Sequence, residues 1–160
     1  HFTIDENGPR CSCGNRGCLE AMAGGYAIAA RAVQQIKAGH RTVLAEIEPI
    51  TVITARDVIS AARRGDLVAQ QIVIDGGRHL GTAIASLVNL INPSMVIVGG
   101  GVAQIGDLLL EPIRQSVKAR SLRVSSSAVR VTEALLGRRS SGMGAVVQAL
   151  TIVLHELAEA

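Results

Sequence analysis

The chain has 160 residues, almost half of them apolar, but it has no Trp, one Phe and one Tyr. With so little aromatic area available, its core must be built from Val, Ile, Leu and Ala. The net charge of +3 comes from scattered basic residues with no aromatic side chains between them, which argues against a nucleic-acid groove. Every run of eighteen residues is interrupted by a charge or a glycine, so no membrane span is predicted.

The first half of the chain is predicted to be a polar loop followed by helices. The loop covers residues 1–18, and a helical pattern follows over 19–38, which the pair Gly24-Gly25 could divide in two. Residues 40–53 have the composition of a linker. Thr54 and Asp57 form a capping pattern for a short helix, and Asp66 begins a long amphipathic helix.

The second half alternates strands and helices after Asn92 and Pro93 end the long helix. The apolar run Met95–Val98 is typical of a strand that is buried on both faces, and a helix is predicted over 105–119. The remaining predictions are a strand over 128–134, a turn over 137–144 and an apolar helix over 145–157. This order favours an α/β layer with parallel strand pairing.

Two strands are too few for an independent α/β sheet, so the rest of the sheet is expected to precede His1. The sequence is thus interpreted as part of a longer protein, with a small loop domain (1–20) and part of an α/β lobe (21–160). The sheet edge that such a part exposes favours self-association into a homo-oligomer.

Three cysteines, Cys11, Cys13 and Cys18, lie within eight residues of the loop. An odd number so closely spaced favours a metal site over disulfides and fits a reducing, cytoplasmic environment. Structural Zn²⁺ takes four tetrahedral ligands, and His1 can supply the fourth across a hairpin-like loop. The alternative is a set of reactive or incidental thiols.

Two further features have weaker patterns. Gly99, Gly100 and Gly101 lie between a strand and a helix, where backbone N–H groups could approach a phosphate or adenosine, although glycines also serve tight packing at such joints. His40, His79 and His155 have no metal-ligand spacing, so surface or packing roles are predicted for them.

The pattern His-x9-Cys-x-Cys-Gly-x2-Gly-Cys-Leu-Glu, from His1 to Glu20, resembles the zinc signature of the ROK family of sugar kinases and sugar-responsive repressors. The similarity continues through the Asn-Pro, strand and glycine-rich turn of residues 90–102 and the Gly-Met-Gly-Ala stretch of residues 142–145. The similarity runs in order along essentially the whole fragment, which corresponds to the C-terminal half of such proteins.

The resemblance implies an actin-like, ribonuclease H-like architecture with two lobes around a sugar cleft. It also implies that His1 and Glu20 reach the sugar hydroxyls while structural zinc holds their loop in place. From the residues alone, the favoured interpretation of Glu20 is a solvated carboxylate at the start of a helix. In kinases of the family, the region of Gly99–101 helps to hold the nucleotide.

Three functions remain open. The first is the sugar-binding part of a transcriptional regulator, which would contact DNA only through a domain before His1. The second is the C-terminal half of a kinase that uses ATP and Mg²⁺, and the third is a zinc-stabilised oligomerisation module. Residues 137–142 lack the Asp of an Asp-Ala-Gly-like stretch common in the kinases, which favours the regulator. The chain alone is expected to have no kinase activity, since the resemblance puts the catalytic Asp in the other half.

Overall fold

Helices and one small sheet make up the computed structural model, which describes residues 1–159. The helices are α1 Leu19–Ala23, α2 Gly25–Lys37, α3 Ala55–Arg63, α4 Leu67–Ile91, α5 Asp107–Arg120, α6 Arg123–Ala128 and α7 Ser140–Glu159. The strands are β1 Met95–Val98 and β2 Arg130–Glu133. Short 3-10 helices lie at Val43–Glu46, Ile50–Val52, Ala103–Ile105 and Gly137–Arg139.

Capping side chains start α3 and α4 where the sequence predicts. The Thr54 backbone N–H donates to Asp57 Oδ2 at 2.8 Å, and the Asp57 N–H donates back to Thr54 Oγ1 at 3.4 Å, which completes a capping box. Asp66 accepts from the N–H of Ala69 at 2.8 Å and also from Val43 at 2.8 Å. Asp66 therefore fixes the preceding linker, which is partly 3-10 helical, to the start of α4.

Two predicted breaks are confirmed. The chain leaves α1 at Gly24 and begins α2 at Gly25, so the helical pattern over 19–38 is two helices. Asn92 adopts a left-handed conformation, with φ of 44°, and ends α4 before Pro93.

The two strands pair in parallel, as predicted, with Met95 opposite Arg130 and Val98 opposite Glu133. The expectation that β1 is buried on both faces is wrong. Val96 and Val98 pack against the core, but Ile97 is 62% exposed on the other face. Within residues 1–159 the sheet has two strands, and only one of its faces is covered by helices.

The core is aliphatic, as the composition requires, and its centre is the contact between α4 and α5. Val88 and Ile113 are fully buried there. The helices approach closely because Gly77 and Gly81 of α4 face α5. A Cβ atom added at Gly81 would lie 2.5 Å from the Ser116 Cβ.

The region after α5 differs most from the prediction. Residues 123–128 form α6, where no helix is predicted. The turn predicted over 137–144 ends early, because α7 begins at Ser140 and includes Gly142 and Gly144. Glycine costs an exposed helix only about 1 kcal/mol per residue, which an otherwise helical segment tolerates.

Helix α7 has exposed apolar side chains along its length, among them Val146, Leu150 and Leu154. By length and composition, Ser140–Ala158 meets the requirement for crossing a membrane, which is weak evidence from a single helix. The absence of a membrane span stays a prediction.

Candidate metal and sugar site

Four side chains of the N-terminal loop converge on one point. The ligand atoms of His1, Cys11, Cys13 and Cys18 all lie within 4.8 Å of one another. His1 Nδ1 is 3.3 Å from Cys11 Sγ, and Cys13 Sγ is 3.6 Å from Cys18 Sγ. Sulfur ligands at about 2.3 Å from a tetrahedral zinc ion would be about 3.8 Å apart. The donor set and its spacing therefore fit zinc.

The backbone of the loop folds back on itself to bring these residues together. Isolated antiparallel bridges join Thr3 to Cys18 and Arg10 to Arg16. The Gly8 N–H donates to the Asp5 carbonyl at 2.9 Å, which closes the predicted hairpin-like turn between His1 and Cys11.

Gly17 is the position of the loop that most strictly requires glycine. Its φ of +57° lies in the left-handed region, and an added Cβ would lie 1.5 Å from the Asp5 carbonyl oxygen. A side chain there would separate the two halves of the loop and move the adjacent Cys18.

The thiols differ in their environments. Burial raises the pKa of Cys18 to about 11, with further contributions from the neighbouring Cys13 and Cys11. A hydrogen bond with the Cys13 backbone lowers the pKa of Cys11, and burial only partly offsets this effect. Three thiolates held this closely repel one another unless a cation lies among them, so the cluster is suited to a metal ion.

Glu20 lies two residues after Cys18, in the first turn of α1. It lines a cleft of about 740 Å³ between the loop and α2, and Cys11 and Ser12 also line it. His1 is not among the residues that line this cleft. The structure thus places one of the two predicted sugar ligands in the cleft and the other in the cysteine cluster.

One side of the cleft comes from α2 and is not predicted from the sequence. Tyr26, Ala30, Arg31 and Gln34 line the cleft from this helix. Tyr26, Ala30 and Gln34 recur every four residues and Arg31 adjoins Ala30, so these side chains share one helical face. Its polar and aromatic members, Tyr26, Arg31 and Gln34, are the signal that could have revealed it.

The glycine-rich turn directly follows the carboxyl end of β1. Gly99 follows β1, and Gly100 has a φ of +94°, which favours glycine. A Cβ added at Gly99 would lie 3.5 Å from the Ala134 Cβ, so this turn lies beside the chain that leaves β2. The turn and the segment 137–142 therefore share the carboxyl edge of the sheet.

His79 has the packing role predicted for it. It is half-buried on α4, and Arg31 of α2 donates to its Nε2 at 3.0 Å. Because a guanidinium group only donates, the imidazole must be neutral at Nε2 to accept. Burial and the Arg31 charge lower the pKa of His79 from its usual 6.5, against opposing contributions from Asp75 and Asp5.

We expect stability to fall as the pH is lowered from about 7, because the unfolded chain binds a proton at His79 more readily than the folded chain. His79→Gln should reduce this slope, which denaturant unfolding at pH 7.5, 6.5 and 5.5 measures. His40→Gln, at an exposed histidine, is the control. Equal slopes for His79→Gln and the unmodified chain would contradict the prediction.

Comparison with known proteins identifies the family. The ROK family profile matches residues 1–152. A glucokinase of Halalkalibacterium halodurans is 38% identical over 146 residues, which cover 90% of this chain and 44% of the relative. The DNA-binding transcriptional dual regulator NagC of Escherichia coli is 31% identical over 141 residues, which cover 88% of this chain and 34% of the relative.

A solved structure supports the same grouping. A ROK family transcriptional regulator, a homologue of the E. coli MLC protein, superposes with a TM-score of 0.77 at 38% identity, over 83% of this chain and 33% of that one. The chain spans less than half the length of each of these proteins. The family match, together with this fold, makes the chain a member of the ROK family.

Proposed function

We propose that the chain is the zinc-stabilised, sugar-binding part of a ROK-type transcriptional regulator. The observation that carries the proposal is the convergence of the ligand atoms of His1, Cys11, Cys13 and Cys18 within 4.8 Å of one another, next to Glu20 in the first turn of α1. Both regulators and sugar kinases share this family, so a sugar is the expected small-molecule ligand.

His1 has two roles in this proposal. Its Nδ1 faces the sulfurs and would bind zinc. Its Nε2 then remains available to a sugar hydroxyl, as does the carboxylate of Glu20. The zinc ion would fix the loop, so that both groups are held in position before the ligand arrives.

The regulator is favoured over the kinase by the segment 137–142, which contains two arginines and no Asp. In the complete regulator, DNA would be bound by a domain before His1, and the location would be cytoplasmic. The exposed apolar side chains of α7 and of Ile97 in β1 favour assembly into a homo-oligomer.

The second candidate is a hexose kinase that uses ATP and Mg²⁺. It is favoured by the 38% identity to a glucokinase, and Gly99, Gly100 and Gly101 would then approach the nucleotide. The coding sequence before His1 decides between the two candidates. A helix-turn-helix there supports the regulator, and a phosphate-binding loop without one supports the kinase.

We expect weak but specific hexose binding by the chain, with a Kd on the order of 10 mM, because it supplies only part of the cleft. Saturation-transfer NMR with glucose should give a signal that Glu20→Gln abolishes. Glu46→Gln, an exposed carboxylate away from the cleft, should leave the signal unchanged. Equal signals from both variants, or none from the unmodified chain at about 100 mM glucose, would refute the proposal.

A further inference from the structure

A second cavity lies between α5, α6 and β2 and shares no lining residue with the cleft beside the N-terminal loop. Its volume is about 540 Å³. Its polar lining consists of four basic side chains and two serines and includes no carboxylate: Arg114, Lys118, Arg123, Arg130, Ser126 and Ser127. A cavity with this lining is an anion site by composition.

The segment that supplies the basic lining of the cavity is rich in positive charge. Residues 112–132 contain five of the sixteen basic residues and no Asp or Glu. The segment therefore carries a charge of +5 within a chain of net charge +3, which leaves −2 for all other residues together. Glu111 and Glu133 flank the segment, and neither lines the cavity.

One of the four cations is held in place and the other three are uncompensated. Arg114 donates from Nε to the Val131 carbonyl at 3.2 Å and pairs with Asp107 at 2.8 Å. Among the side chains that the structure describes (1–137 and 139–158), no ion pair joins a carboxylate to Lys118, Arg123 or Arg130. Their mutual repulsion favours an external anion, for which the cavity leaves room.

The cavity is separate from the glycine-rich turn. Arg130 is the first residue of β2 and lies opposite Met95, at the amino edge of the sheet. The turn begins with Gly99, after the carboxyl end of β1. A strand of four residues spans about 13 Å, so a ligand in one place does not reach the other.

We propose that this cavity binds the phosphate group of a small phosphorylated molecule. Guanidinium groups match phosphate oxygens in pairs, and an ammonium group adds a point charge. No aromatic side chain lines the cavity, so it has no platform for stacking nucleic-acid bases. Its four basic side chains surround a volume of about 540 Å³, which accommodates a small anion. The site is independent of the proposed sugar and zinc functions.

Calorimetric titration of the 160-residue chain with inorganic pyrophosphate tests this proposal. We expect saturable binding of one equivalent. The double variant Arg123→Gln/Arg130→Gln should weaken it about tenfold or more, since it removes two of the four positive charges and their charged hydrogen bonds to phosphate oxygens. Both side chains are exposed, so the variant should keep the wild-type circular dichroism spectrum.

The matched control is Lys37→Gln/Arg56→Gln, which removes the same charge from α2 and α3 and should bind pyrophosphate within about twofold of the unmodified chain. Equal weakening in both double variants would mean a general charge effect and would overturn the proposal. So would the absence of saturable binding, or tighter binding of duplex DNA that depends on Arg123 and Arg130.

Discussion

Purified protein is expected to contain close to one equivalent of zinc, and chelation is expected to open the N-terminal loop. The reason is that zinc sites of this kind contribute their binding free energy to folding, about 10–16 kcal/mol in isolated zinc-finger peptides. Elemental analysis measures the metal. Trypsin digestion reports whether the loop opens, because Arg10 and Arg16 lie within it. Cleavage after these residues should become about tenfold faster or more after treatment with EDTA.

Cys18→Ser should behave like the chelated protein, because Cys18 is fully buried in the cluster and oxygen is a poor substitute for a thiolate toward zinc. Ser12→Ala, an exposed neighbour between two of the cysteines, is the control and should retain the metal. Protein that contains no zinc, and whose thiols are all titratable while it is folded, would contradict the assignment.

The second large effect is expected at Gly81. Gly81→Ala should destabilise the protein by about 2–3 kcal/mol, because its Cβ would lie 2.5 Å from the Ser116 Cβ and 2.8 Å from the Ile113 carbonyl oxygen. Both neighbours belong to α5 and one is backbone, so only a movement of the whole helix could relieve the overlap. In thermal unfolding this corresponds to a decrease in Tm of roughly 4–12 °C.

Gly76→Ala supplies the control from the same helix. An added Cβ there has no neighbour within 4 Å, so the change should stabilise α4 by about 0.5–1 kcal/mol through helix propensity alone. If both variants changed the free energy of unfolding in the same direction and by the same amount, close packing of α4 on α5 would not be the cause.

Features set by local chemistry could be predicted from the sequence. Thr54 and Asp57 cap α3 because their side chains satisfy backbone groups a few residues away, and Asp66 does the same for α4. The parallel pairing of Met95–Val98 with Arg130–Glu133 follows from two short β-rich runs joined by a helix. The ROK family itself was identified from the cysteine pattern.

Features set by tertiary contacts could not be predicted in this way. The sequence of β1 is equally apolar at Val96 and Ile97, and only the position of the helices decides which of the two is covered. Residues 123–128 are rich in serine, which disfavours a helix on propensity alone, yet they form α6. The cleft residues of α2 could not be predicted because the cysteine pattern points to the loop alone.

The position of Cys18 has a consequence for how the protein would respond to its surroundings. The same residue is the predicted metal ligand and the N-cap of α1, and α1 contacts the long core helix α4. In the zinc-bound form, alkylation or oxidation of the Cys18 sulfur would therefore disturb Glu20, which lies only two residues further along the chain. In the proposed regulator, sugar binding would then fail under electrophilic or oxidative stress before the helical core unfolded.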